Sequence, residues 1–361
     1  VALLVAMVAA GCAGAGQRSP IDATVGVVLP LRSGVAAAAA SALRGVQLAA
    51  EEINADGSIR VALETADDGG SPERAAQIFE RIAGEPRTVA VIGALTDSVA
   101  VSLSPLASRT KTLLISPGAT GEVPYAGDFF FRTALPATLQ GRALADYALR
   151  SGLRRVSVIY DHNEYGTAVA LAFVEAFVAG GGEVIGQRLF RDGTRDFERF
   201  VRALRTEEPQ ALLFAGYPDE GAAFFSQAAE AGLSLRVLAP DSFANEEAVR
   251  EMGGRAHGMV VTSAFFTDNP VPAVRAFVRA YREKFNLEPD QFAAQAHDAL
   301  RVVAFGLKRV GTADRAKLRD AAAGIRDYPG VTGTMTFDRF GNPAREVLLL
   351  RVDGSRLVVL R

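Results

Sequence analysis

A single cysteine, Cys12, stands in a chain of 361 residues. No internal disulfide can form, and no cluster of thiolates can hold a metal. Excess charge is lacking as well. The 39 Lys and Arg face 41 Asp and Glu, leaving a formal charge of -2, and no concentrated basic face is available to bind nucleic acid. Histidine is scarce: His162, His257 and His297 are far apart. No nucleophile–base pattern accompanies them, so the sequence gives no sign of an enzyme. The apolar run at residues 1–10 (VALLVAMVAA) is short. A bilayer span needs about 20 such residues, so the run suits a signal-peptide core instead.

What is present is a well-filled chain. Hydrophobic residues make up 49% of it, and its length suits two lobes better than one core. Residues 24–29, 60–65, 88–92 and 111–115 read as short strands. Helical stretches follow at 41–55, 72–83 and 99–108. A second alternating series runs from residue 155 to 239. Residues 259–264 add a strand, helices follow at 272–285 and 291–310, and the stretch 333–360 is strand-like. Alternation of this kind predicts an α/β fold of doubly wound parallel sheets with helices on both faces.

One stretch organises this pattern. Residues 113–125 (LLISPGATGEVPY) run from a buried strand into a loop of small residues. Such a loop leaves backbone groups available at the C-terminal edge of a parallel sheet, where open α/β folds bind ligands.

Motifs along nearly the whole chain carry a family resemblance. They include Val25-Gly26-Val27-Val28-Leu29-Pro30, Gly45-Val46-Gln47-Leu48-Ala49, Asp67-Asp68 with Ser71-Pro72, and Ala90-Val91-Ile92-Gly93. Ile115-Ser116-Pro117-Gly118-Ala119-Thr120, Phe130-Phe131-Arg132-Thr133, Val158-Ile159-Tyr160-Asp161 and Thr332-Gly333 with Phe337-Asp338 continue the series. In this order they resemble the type I periplasmic binding proteins of ABC importers, specifically the leucine/isoleucine/valine-binding family. The resemblance implies two doubly wound parallel-sheet lobes joined by a three-crossover hinge. Lobe 1 is expected over 21–136 plus 266–338 and lobe 2 over 137–265 plus 339–361, with crossovers near 135–138, 264–267 and 338–341. Ala9-Ala10-Gly11-Cys12 likewise resembles a lipobox, which makes 1–12 a signal segment and Cys12 a lipidation site.

By the same resemblance, Gly118, Ala119 and Thr120 match first-lobe ligand contacts. Tyr165, Tyr217 and Asp241 match contacts from the second lobe. Each has an ordinary alternative: a capping threonine, a surface tyrosine, or an acid capping a helix. Three departures stand out. Asp97 occupies the place where the family offers a serine to a ligand carboxylate. The alanines at 36–40 replace a loop that supplies an aromatic, and Ala137 replaces an aspartate. Like charges about 4 Å apart repel by roughly 4 kcal/mol at an effective dielectric near 20, or nearly three decades of affinity. Either Ser98 takes the role, or Asp97 turns away, or the ligand carries no carboxylate there.

The expected partners are a small polar ligand such as an amino acid, the membrane subunits of an ABC permease, and a membrane reached through a lipid anchor. No cofactor or metal is expected. Asp161-His162-Asn163 lacks the glycine and terminal glutamate of a calcium loop. The alternative function is a regulatory protein on the same fold, such as an activator of cell-wall synthases, motivated by Asp97 and the alanine run.

Overall fold

In the computed structural model, residues 20–244, 249–250 and 252–360 are described. Cys12 and the expected signal segment at 1–12 lie outside the described residues. The first lobe is a five-stranded sheet of β1 (Ile21–Leu29), β2 (Ile59–Asp67), β3 (Thr88–Gly93), β4 (Leu113–Ser116) and β5 (Phe130–Arg132), in the order β2-β1-β3-β4-β5. Every pairing is parallel. Val25, Val27, Val28 and Leu29 of β1 are fully buried, as a strand covered on both faces must be. The covering helices are α1 (Ala36–Asp56), α2 (Pro72–Gly84) and α3 (Asp97–Thr110).

The chain then passes through residues 133–136 into α4 (Ala137–Arg150) and a second series. This comprises β6 (Arg155–Asp161), α5 (Glu164–Ala179), β7 (Glu183–Phe190), α6 (Glu198–Glu207), β8 (Ala211–Ala215), α7 (Pro218–Glu230), β9 (Val237–Ala239) and β10 (Val260–Ser263). These strands pair in parallel in the order β7-β6-β8-β9-β10. That arrangement repeats the first sheet. Its core is rich in phenylalanine: the rings of Phe214 and Phe224 stack 5.1 Å apart, and Phe190, Phe197 and Phe243 pack around them.

After β10 the chain returns to the first lobe as α8 (Pro272–Phe285), α9 (Gln291–Val310) and α10 (Arg315–Ala323). A small antiparallel sheet follows, built from β11 (Tyr328–Gly330), β12 (Gly333–Phe337) and β13 (Pro343–Ala344). The chain ends in the second sheet as the antiparallel pair β14 (Leu348–Asp353) and β15 (Arg356–Val359).

Two expectations are corrected. The alanines at 36–40 belong to α1 and not to a loop, because alanine is the strongest helix former and nothing in the run interrupts it. The third passage between lobes falls at 345–347, beyond the expected 338–341. Gly341 instead makes a turn against β5, with φ at +67° and its carbonyl accepting from Arg132 N at 3.0 Å.

Close helix packing fixes the first lobe. A Cβ placed on Gly45 of α1 would lie 2.1 Å from the Ala293 carbonyl oxygen of α9. Gly45→Ala is therefore expected to force the two helices apart and to cost about 1–3 kcal/mol, read as a lower urea midpoint. An unchanged midpoint would show that the helices yield freely.

Candidate functional site

In open α/β sheets ligands bind beyond the C-terminal strand ends, where the strand order reverses. That point lies between β1 and β3 in the first sheet and between β6 and β8 in the second. The loops leaving these edges surround a cavity of about 260 Å³ between the lobes.

On the first-lobe wall one hydroxyl organises the loops. Buried Ser116 donates to the Ala94 carbonyl at 2.7 Å and accepts from Gly118 N at 3.3 Å and Ala119 N at 2.8 Å. Ala94 itself holds φ at +62°, a sparsely populated conformation for a non-glycine residue. Gly118 fits because a Cβ there would lie 2.4 Å from the Leu95 carbonyl oxygen. The buried Arg132 guanidinium supports the loop from behind, donating to the carbonyls of Ala119 at 3.1 Å and Gly121 at 2.7 Å. Burial lowers its pKa to about 10, while the charges of Asp97 and Asp338 oppose that shift.

Asp97, in the first turn of α3, turns its carboxylate onto the same loop. Oδ1 accepts from Thr120 N at 2.7 Å and Gly121 N at 2.9 Å. Thr120 Oγ1 lies 3.4 Å from Oδ2.

On the second-lobe wall, Asn163 caps α5 by accepting from Gly166 N at 2.8 Å, which sets Glu164 and Tyr165 at the cavity. The Tyr165 hydroxyl donates to Asp241 Oδ1 at 2.6 Å and accepts from Ser242 N at 3.2 Å. The Tyr165 and Tyr217 rings stack 5.5 Å apart. Burial and the neighbouring Asp241 push the Tyr165 hydroxyl well above its usual pKa. Gln140 Oε1 accepts from Asp241 N at 3.0 Å and from Thr262 Oγ1 at 2.8 Å. Across the lobes, Gln291 Nε2 donates to the Asp241 carbonyl at 3.0 Å and Ala137 N to the Thr120 carbonyl at 3.0 Å.

Seven of the eight candidate contacts line this one cavity: Asp97, Ser98, Gly118, Thr120, Tyr165, Tyr217 and Asp241. Ala119 does not. It is fully buried, with its N–H on Ser116 and its carbonyl on Arg132. Ala137 is buried in the second-lobe core. Ala38, in the alanine run, also lines the cavity; sequence reasoning missed Val35 just before α1, and Gln291, Phe292 and Gln295 at the start of α9. The usable signal was Asp290, which caps α9 by accepting from Ala293 N at 2.9 Å and so directs that helix start toward the sheet edge. Neither Asp97 nor the alanine run closes the cavity.

Burial raises the Asp241 carboxyl to about 6, against opposing hydrogen bonds led by Tyr165. Between about pH 4 and pH 6 the folded chain keeps a proton that the unfolded chain has released. The contribution of this group to stability therefore falls as pH rises through that window, by up to roughly 3 kcal/mol. Urea unfolding across the window should show wild-type stability falling relative to Asp241→Asn. Parallel curves would rule this out.

Comparison with known proteins gives a consistent result. A family model described as periplasmic binding protein matches residues 22–356. The Leu/Ile/Val-binding protein homolog 3 of Brucella melitensis biotype 1 is 31% identical over 348 residues, covering 94% of each chain. The Leu/Ile/Val-binding protein of Escherichia coli K12 is 27% identical over 89% of this chain and 88% of its own. Among solved structures, the branched-chain amino acid transporter substrate-binding protein LivJ of Streptococcus pneumoniae, in complex with isoleucine, superposes with a TM-score of 0.84. It is 25% identical, with 94% of this chain and 99% of that chain covered.

Proposed function

The chain belongs to the periplasmic binding protein family, and from that premise we propose that it is the extracytoplasmic solute receptor of an ABC importer. It binds an amino acid or related small polar compound in the cleft between its lobes and carries out no chemistry on it. The observation that carries this reading is a cavity lined from both lobes, by loops at the C-terminal edges of two sheets with the same strand order. A ligand can drive lobe closure only by contacting both walls. Asp97, Ser98, Gly118 and Thr120 serve as its first-lobe contacts, with Tyr165, Tyr217 and Asp241 opposite.

The closed form docks on the permease subunits. Among the described residues no helix is long and apolar enough to cross a membrane. Cys12, within Ala9-Ala10-Gly11-Cys12, is the attachment point of a lipid anchor that keeps the receptor at the membrane. Isothermal titration against amino acids, their amides, simple amines and aliphatic and aromatic acids should give saturable heat with at least one class. A cooperatively folded chain that binds none of them would end the receptor reading.

A further inference from the structure

Resting on the receptor reading above, we propose that the cleft selects a ligand with a primary amine and an apolar body, and discriminates against a carboxylate. Two observations carry this: the donors of the first-lobe loop are already spent, and a buried acceptor in the cavity wall is not.

Four consecutive backbone N–H groups of that loop have partners within the chain. Those of Gly118 and Ala119 point to Ser116 Oγ, and those of Thr120 and Gly121 to Asp97 Oδ1. An incoming carboxylate would have to displace Asp97 from these donors and sit beside its charge. Helix N-termini around the cleft would ordinarily attract an anion. Three carry their own acid in the first turn, Asp97 on α3, Glu164 on α5, and Asp219 with Glu220 on α7; α9 has Asp290 at its cap, and α1 has no acid there.

The remaining charge at the cavity has one sign. Asp97, Glu164 and Asp241 line it, and among the described residues no Lys, Arg or His does. Arg132 lies behind the loop with its Nη1 committed to two carbonyls.

One unspent acceptor belongs to Gln291. Its Nε2 is used on the Asp241 carbonyl, which fixes the orientation of the amide, while Oε1 is buried without a partner. A buried acceptor left unpaired is costly, and an ammonium or amine N–H brought onto it as the lobes close around the ligand would satisfy it. The Tyr217 ring, 40% exposed and stacked on Tyr165, offers a π face to the same cation. Leu95, Ala134 and Phe292 supply apolar wall for the ligand body.

The test is titration of the intact chain near neutral pH with isopentylamine, L-leucine and isocaproate, which share a branched apolar body and differ in charge. The expected order is amine, then leucine, then isocaproate, with roughly 100-fold or more between the first and last. Asp97→Ser should raise leucine affinity by about 10-fold or more and lower amine affinity by a similar factor, through loss of one close charge. Should that variant fail to unfold cooperatively, the wild-type order decides alone. Wild-type binding of leucine or isocaproate at least as tightly as the amine overturns the amine inference and leaves the receptor reading intact. Binding of amides only overturns it in the same way. Absence of binding to every compound class, from a chain that unfolds cooperatively, removes the receptor reading itself.

Discussion

Asp298→Ala is expected to destabilise the folded chain by about 3–5 kcal/mol, the usual cost of removing one member of a buried charged network. Asp298 is 1% exposed and accepts three hydrogen bonds, from Val331 N at 2.9 Å, Thr332 N at 2.9 Å and Thr332 Oγ1 at 2.6 Å. Arg345, on the third passage between lobes, donates to the same Thr332 hydroxyl and to the Thr133 carbonyl on the first passage. Thr133 Oγ1 in turn donates to the Gln295 carbonyl of α9 at 2.8 Å. Alanine leaves two buried N–H groups without acceptors and removes the negative charge that faces Arg345 and His297. Asp298→Asn keeps the shape but turns an N–H toward groups that themselves donate, so it should fall between alanine and wild type. Urea unfolding reads both, and a loss under about 1 kcal/mol for alanine would show that the network contributes little.

Arg132→Leu should cost roughly 2–4 kcal/mol and weaken ligand binding by about 10-fold or more. The carbonyls of Ala119 and Gly121 lose this cationic donor, and they belong to the loop that shapes the first-lobe wall. The cost stays below that of Asp298→Ala because Arg132 Nε is buried without a partner, so its removal recovers part of a desolvation penalty. Arg132→Lys separates charge from geometry. An ammonium keeps the charge but lacks the planar fork of the guanidinium, so it should restore some stability and little affinity. Paired calorimetry and urea curves would expose a purely structural role as lost stability with unchanged affinity in the folded fraction.

Both sheets were legible in the sequence because their central strands are short, apolar and buried on both faces, and because helices separate the parallel strands. The loop at 117–121 was legible for the same reason: small residues after a buried strand. The role of Asp97 was not. One sequence allowed its carboxylate to face a ligand, turn away, or exclude a ligand carboxylate. The choice depends on two N–H groups more than twenty residues downstream. Nor could spacing reveal Gln291 or Gln295, which reach the cavity only because the chain returns to the first lobe after β10 and sets the start of α9 at the cleft. The small antiparallel sheet was partly hidden because β11 and β13 have only three and two residues.

The repeated strand order also sorts the cavity wall into equivalent pairs. Val35 follows β1 as Asn163, Glu164 and Tyr165 follow β6. Asp97 follows β3 as Tyr217 follows β8, and Gly118 with Thr120 follow β4 as Asp241 and Ser242 follow β9. The cleft is thus one three-loop half-site used twice, with its two copies specialised differently. The first copy contributes a loop whose polarity is balanced internally, and the second contributes aromatic faces and an inter-loop Tyr–Asp bond. Grafting a loop from one copy onto its counterpart is therefore a conservative change in topology, even where it reverses the chemistry of the wall.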